Sequence, residues 1–212
     1  KIMVGAVIFG VMLSTLHQAS LGAVFLIAPS KMSPLWWSEV MPYHFLISAV
    51  AMGLSMVSFE AMLSKKFLHH SVDNEVFYGL ARGCRNVLCF YLVVKIYQWL
   101  THAGFGAAFD GSIEANMFLL EMLIGVIIPL VILFNKKSQT NLNTIFKVNM
   151  IVITGVMLNR MNVCLFSMEQ YNMWKGFSYT PSWMEFMVSL GIICLGVLCF
   201  KLSAKYLPLF SH

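Results

Sequence analysis

Five side chains able to carry charge or a proton stand inside stretches that are otherwise almost wholly apolar: His17, Glu60, Lys95, Glu121 and Arg160. A charge at the centre of a hydrocarbon layer costs at least about 2.5–3.5 kcal/mol on insertion scales, so each needs a partner, a route to water or a task. His17 lies in a run with no charged residue. Ser14 at i−3 and Leu21 at i+4 share its helical face, and Gln18 borders that face, turned about 100° away. Glu121 and Arg160, the latter flanked by Asn159 and Asn162, fall roughly 8–12 Å below the same end of their runs by helical rise. Opposite charges at one depth are expected to pair. Lys95 is close enough to the end of its run for its stem to snorkel to the interface. Glu60 is near the opposite end, where water reaches it.

These residue types support proton exchange and hydrogen bonding to a small polar head group in an apolar pocket. A quinone fits that chemistry, because its two carbonyls need hydrogen-bond partners and a nearby proton donor. The expected quinone-binding set is His17, Gln18, Ser14, Glu121, Asn159 and Arg160. In it Arg160 polarises a carbonyl and anchors Glu121, while His17 exchanges the proton. His17, Glu121 and Glu60 form the expected proton path, with Glu60 toward the cytoplasm. The plainer reading is a Glu121–Arg160 pair that only locks helices together. A bis-histidine haem needs two imidazoles from different helices at matching depth. His17 has no such partner, which leaves His44 with His102 near the outer ends of their runs. Cys84, Cys89, Cys164, Cys194 and Cys199 contain no CxxC and read as packing residues. The chain is expected to hold no haem, iron–sulfur cluster or metal of its own.

The elements that must position these groups follow from composition. Of 212 residues 59% are hydrophobic and 11% charged, with mean hydropathy +0.78; soluble domains average about 45–50% and about 25%. That excludes a soluble enzyme, a disordered tail and a nucleic-acid-binding domain. Long apolar runs without period-two alternation predict an all-α polytopic transmembrane helix bundle, one transmembrane domain over 1–212. Its six spans lie at approximately 2–28, 42–64, 80–101, 116–134, 145–168 and 183–205. Lys1, Lys65, Lys66, Arg82, Arg85, Lys136, Lys137, Lys147, Lys201 and Lys205 collect on one side, and only Lys31 and Lys175 on the other. The positive-inside rule then puts both ends in the cytoplasm and the Trp-rich loops outside, with Trp36-Trp37 as an interfacial aromatic belt. The sequence starts at Lys1 and is apolar by Ile2, which reads as part of a longer chain.

Several runs, in order, resemble the NrfD/PsrC-type membrane subunits, the hydrogenase-2-type branch in particular. They are Ser14-Thr15-Leu16-His17-Gln18-Ala19-Ser20-Leu21-Gly22, Pro34-Leu35-Trp36-Trp37, Phe59-Glu60 and Ala81-Arg82-Gly83. Glu121 follows, then Leu158-Asn159-Arg160-Met161-Asn162-Val163, Tyr179-Thr180-Pro181-Ser182-Trp183-Met184-Glu185 and Lys205-Tyr206-Leu207-Pro208. The resemblance implies a haem-free subunit in a prokaryotic cytoplasmic (inner) membrane, exchanging electrons between menaquinone or ubiquinone and a ferredoxin-like iron–sulfur subunit outside. It also implies catalytic oxidoreductase subunits as partners and, in some members, coupling to proton movement. His17, Glu60, Glu121 and Arg160 are the residues it carries over. Such subunits have about eight to ten spans, so six spans correspond to the latter part of one. An ion-coupled secondary transporter and a purely structural membrane anchor stay open beside this reading. A transporter would be expected to show repeats and paired broken helices, and only the Gly125 to Pro129 stretch interrupts a span here.

Overall fold

The computed structural model describes residues 2–67, 73–176 and 181–206. Lys1, Tyr179-Thr180 and Leu207-Pro208, used above for orientation and resemblance, lie outside the described residues. Two compact units are present, Lys1–Trp174 and Lys175–His212. The first holds α1 (Ile2–Val24), α2 (Met41–Phe67), α3 (Asn74–Gln98), α4 (Ile113–Met122), α5 (Ile128–Phe134), α6 (Lys136–Gln139), α7 (Leu142–Cys164) and α8 (Glu169–Trp174). The second holds α9 (Trp183–Tyr206). Among the described residues there is no strand, so the all-α helix bundle stands.

Five stretches of the described residues are long and apolar enough to cross a membrane: Met3–Ile27, Met41–Lys66, Ile113–Phe134, Leu142–Trp174 and Trp183–Ser203. The run expected at 80–101 folds as α3 and a π-helical turn over Trp99–Ala103. With 25 residues α3 is long enough, but Glu75, Arg82, Arg85 and Lys95 dilute its apolar character. Its buried stripe, Phe77, Ala81, Cys84, Leu88, Tyr91, Lys95 and Gln98, runs at helical spacing and turns inward.

Local chemistry sets the helix ends. Ser112 caps α4 by accepting the Ala115 N–H at 3.1 Å, with Glu114 in the first turn where the helix dipole favours an anion. Asn141 caps α7 by accepting the Asn143 N–H at 3.0 Å. Gly104, at φ 74°, ends the α3 extension in a conformation other residues resist. The Ile113–Phe134 span is continuous but contains one wide π turn, Leu123–Ile127. Pro129 explains it: proline has no N–H for the carbonyl four residues back, and its ring pushes that carbonyl aside. That carbonyl belongs to Gly125.

Gly125 meets Gly155 of α7 where the two helices cross. A Cβ on Gly155 would lie 2.2 Å from the Gly125 Cα, which demands glycine at 155, while a Cβ on Gly125 would be tight at 3.2 Å from the Gly155 Cα. One turn outward from the crossing, the same helices present Glu121 and Asn159. The core lies between α2, α3, α4–α5 and α7 around Ala51, Leu88, Phe118, Val126 and Val152. Helix α1 packs along α2 at its C-terminal end, where Gly22 abuts Met41 and Pro42 and Phe25 meets Phe45 at 5.9 Å. Of the cysteines only Cys84 is buried, against Ser55 at 3.3 Å. Cys89 is half-buried and packs against the core, so Cys84 and Cys89 fit the reading as packing residues, whereas Cys164, Cys194 and Cys199 are exposed in this chain.

Candidate functional site

The Glu121 carboxylate is the hub of a buried polar cluster. It is 2% exposed and receives three N–H donors: Trp36 Nε1 at 2.9 Å, Asn159 Nδ2 at 2.6 Å and Asn162 Nδ2 at 3.0 Å. Lys95 Nζ completes it at 3.6 Å from Oε1. Three separate parts of the chain, the segment before α2, α3 and α7, therefore converge on one carboxylate of α4, and both of its oxygens are engaged. Lys95 is 3% exposed and its ammonium also lies over the Phe118 ring at 5.4 Å. This overturns the snorkelling expectation: the stem points along the inward stripe of α3, and Glu121 supplies the compensating charge.

Arg160 is not the direct partner of Glu121, contrary to the expected pair. Its guanidinium donates to Asn159 Oδ1 at 3.1 Å, the Phe45 carbonyl at 3.0 Å and Ser48 Oγ at 2.9 Å. It also stacks 3.6 Å over the Phe45 ring. Consecutive residues of a helix point about 100° apart, so when Asn159 faces Glu121 its neighbour must face α2. Asn159 joins the two charges, donating to Glu121 and accepting from Arg160.

Trp36 is the second correction. The sequence reads it as part of an interfacial belt, yet it is buried, with its indole N–H on Glu121. The segment before α2 is held inward by backbone bonds. Ser33 N–H donates to the Ser167 carbonyl at 2.7 Å, and Gln98 Nε2 donates to the Leu35 and Trp36 carbonyls at 3.4 and 2.9 Å. Irregular backbone survives in a membrane bundle where protein donors satisfy it in this way.

The remaining expected site residues are not brought into this cluster. His17 and Ser14 are exposed and Gln18 is half-buried. Ser14 and Gln18 line a separate open cavity of about 170 Å³ with Val11, Thr15, Leu46, Ala49 and Val50, between α1 and α2. Phe45 stands between α1 and Arg160, with Phe25 on one side and the guanidinium against its ring. Glu60 is exposed near the C-terminal end of α2. Inside the core, Ser48, Tyr91, Glu121, Gly125, Gly155 and Asn159 help line a cavity of about 10 Å³, room for about one water. A quinone ring does not fit there.

Further along α2 the buried polar residues pair off, Ser55 with Cys84 at 3.3 Å and Ser58 with Asn149 at 2.8 Å. Sequence reasoning missed Trp36, Lys95 as a partner, Ser48 and Tyr91. The available signal was the helical register of α3, which puts Tyr91, Lys95 and Gln98 on one stripe. Among the described residues no group of three or more His, Cys, Asp or Glu side chains is placed to hold a metal ion.

A protein of Nitratidesulfovibrio vulgaris is 35% identical over 97% of this chain and 54% of its own length. The probable Ni/Fe-hydrogenase 2 b-type cytochrome subunit of Escherichia coli is 27% identical over 99% of this chain and 53% of its own. The integral membrane subunit of a menaquinone reductase from Nitratidesulfovibrio vulgaris is 25% identical over 96% and 53%. The chain thus spans about half the length of the curated relatives it matches. No solved structure matches it. Residues 1–170 match the family model for polysulphide reductase, NrfD, and this integral membrane chain belongs to that family.

Proposed function

We propose that the chain is the quinone-reactive membrane part of a respiratory oxidoreductase, haem-free, passing electrons between the quinone pool and an iron–sulfur subunit outside the membrane. The observation that carries this reading is the cavity between α1 and α2. It is an open, largely apolar cavity with Ser14 and Gln18 at its wall, and His17 adjoins Gln18 along α1. The relative named as a menaquinone reductase subunit supports a quinone as substrate, and the one named as a hydrogenase subunit supports catalytic oxidoreductase partners.

In this reading His17, Gln18 and Ser14 meet the quinone, and His17 exchanges its proton. Glu121, Asn159 and Arg160 stand behind Phe45 as the charged neighbour whose field the quinone feels. Glu60 connects to the cytoplasm. Helix α3 is the sixth span, its Lys95 charge compensated inside the bundle and Arg82 and Arg85 at its cytoplasmic end, which leaves both ends of the segment in the cytoplasm. The test is the purified membrane complex assayed for quinone-linked turnover, with its subunits identified. An iron–sulfur protein should co-purify. His17→Ala should abolish turnover with assembly intact, and normal turnover in that variant removes His17 from the site. Glu60→Gln should slow proton uptake from the cytoplasm; unchanged turnover and unchanged proton movement together remove it from the path.

A second reading, a structural anchor, is favoured by one observation: both carboxylate oxygens of Glu121 are engaged by buried side chains from three other parts of the chain. Assembly without any quinone-linked turnover would select it.

A further inference from the structure

The buried polar atoms that lack a hydrogen-bond partner are not scattered among the described residues. Trp37 Nε1, Ser38 Oγ, Gln98 Oε1, Asn162 Oδ1 and both nitrogens of His44 are buried and unpaired, and all belong to the half of the bundle that holds Glu121. In the other half Ser55, Cys84, Ser58 and Asn149 are paired. More than about 90% of buried polar groups in proteins are satisfied, so a local concentration of exceptions marks a place where water supplies the missing bonds.

His44 is the titratable member of that group. It is 5% exposed, lies one turn from Ser48 on α2, and meets the Tyr91 ring edge-on at 5.7 Å and 84°. Ser48 Oγ donates to the His44 carbonyl at 2.7 Å. Ser48 and Tyr91 both line the cavity of about 10 Å³ that reaches Glu121 and Asn159, so His44 is one side chain away from the cluster on two helices. The titratable group against it is Tyr91 of α3, with Lys95 one turn further along α3; Glu121 of α4 and Arg160 of α7 are reached through Tyr91 and Ser48, and exposed Glu39 lies five residues before it. An uncharged imidazole takes a proton at one nitrogen and releases one from the other, which conserves charge over each transfer.

We propose that His44 is a proton-carrying residue that links the outer end of the bundle, through water, to the Glu121 cluster. This rests on the quinone reading above, since a quinone that is reduced or reoxidised must take up or release protons. It differs from that reading in placing the exchange at a buried histidine of α2 and not at His17 alone.

The test uses the complete membrane complex. His44→Gln keeps volume and hydrogen bonding but cannot titrate. It should lower kcat about tenfold or more, with KM for the quinone unchanged and assembly as in the wild type. Imidazole in the medium should restore turnover in His44→Ala. Turnover of assembled His44→Gln within twofold of wild type overturns the proposal, as does a slow His44→Ala that imidazole leaves slow. Wild-type complex labelled with 13C-histidine gives a reading independent of the variants. If infrared difference spectra between its oxidised and reduced states show no change in the imidazole ring bands that report tautomer and hydrogen bonding, the proposal falls. Wild-type complex without quinone-linked turnover would instead remove the reading on which it rests.

Discussion

Two regions of the first unit carry polar side chains within apolar helices and treat them in opposite ways. On α1, His17 and Ser14 are exposed and Gln18 is half-buried beside an open cavity. At the junction of α3, α4 and α7, Lys95, Glu121, Asn159 and Asn162 are buried and bonded to one another. The same insertion cost acts on both regions. The core meets it with partners inside the protein, whereas α1 leaves its polar groups for whatever lies against it. Position within a span therefore does not decide a polar residue's role; the face it occupies does.

That contrast can be broken by four single substitutions, one of them tested further by a second change, in decreasing order of effect on stability. Glu121→Leu strands the Lys95 ammonium and three N–H donors, and should cost about 3–5 kcal/mol, read as loss of assembled protein and a lower unfolding temperature in detergent. Adding Lys95→Met should recover much of it; no recovery would show that the donors, not the ion pair, hold the junction. Gly155→Ala puts a carbon onto the Gly125 backbone and should cost about 3 kcal/mol, the upper end for overpacking, by the same measurement. Trp36→Phe keeps an aromatic side chain but is smaller and removes one donor to the carboxylate, for a loss of about 2 kcal/mol. His17→Ala should stay within about 0.5 kcal/mol of wild type while abolishing quinone-linked turnover. A large destabilisation there would mean that α1 is part of the packed core.

Much of the core was legible in advance. Glu121, Asn159, Arg160 and Asn162 announce themselves as polar residues in apolar spans, and equal depth brought Glu121 near Arg160 correctly in height. It could not show which of two adjacent residues, Asn159 or Arg160, turns toward the carboxylate, because that depends on the rotation of α7 about its axis. Lys95 was misjudged for a related reason: its distance from the span end permits snorkelling, and only the packing of α3 against α4 forbids it. Trp36 belongs to an irregular segment, and nothing in a Pro-Leu-Trp-Trp run tells whether its rings rest at the interface or descend beneath it. For His17 the helix was legible and the facing was not.

The Gly125–Gly155 crossing also bears on how freely this sequence can vary. Gly5 and Gly10 of α1 have nothing within 4 Å of where a side chain would start, so many apolar letters would serve there. At 155 the first added carbon would already be 2.2 Å from backbone, and the usable alphabet shrinks to one letter. Because that crossing sits one turn from Glu121 and Asn159, the depth of the carboxylate is fixed by main chain touching main chain. It is inherited with the backbone, whatever the outward-facing side chains become.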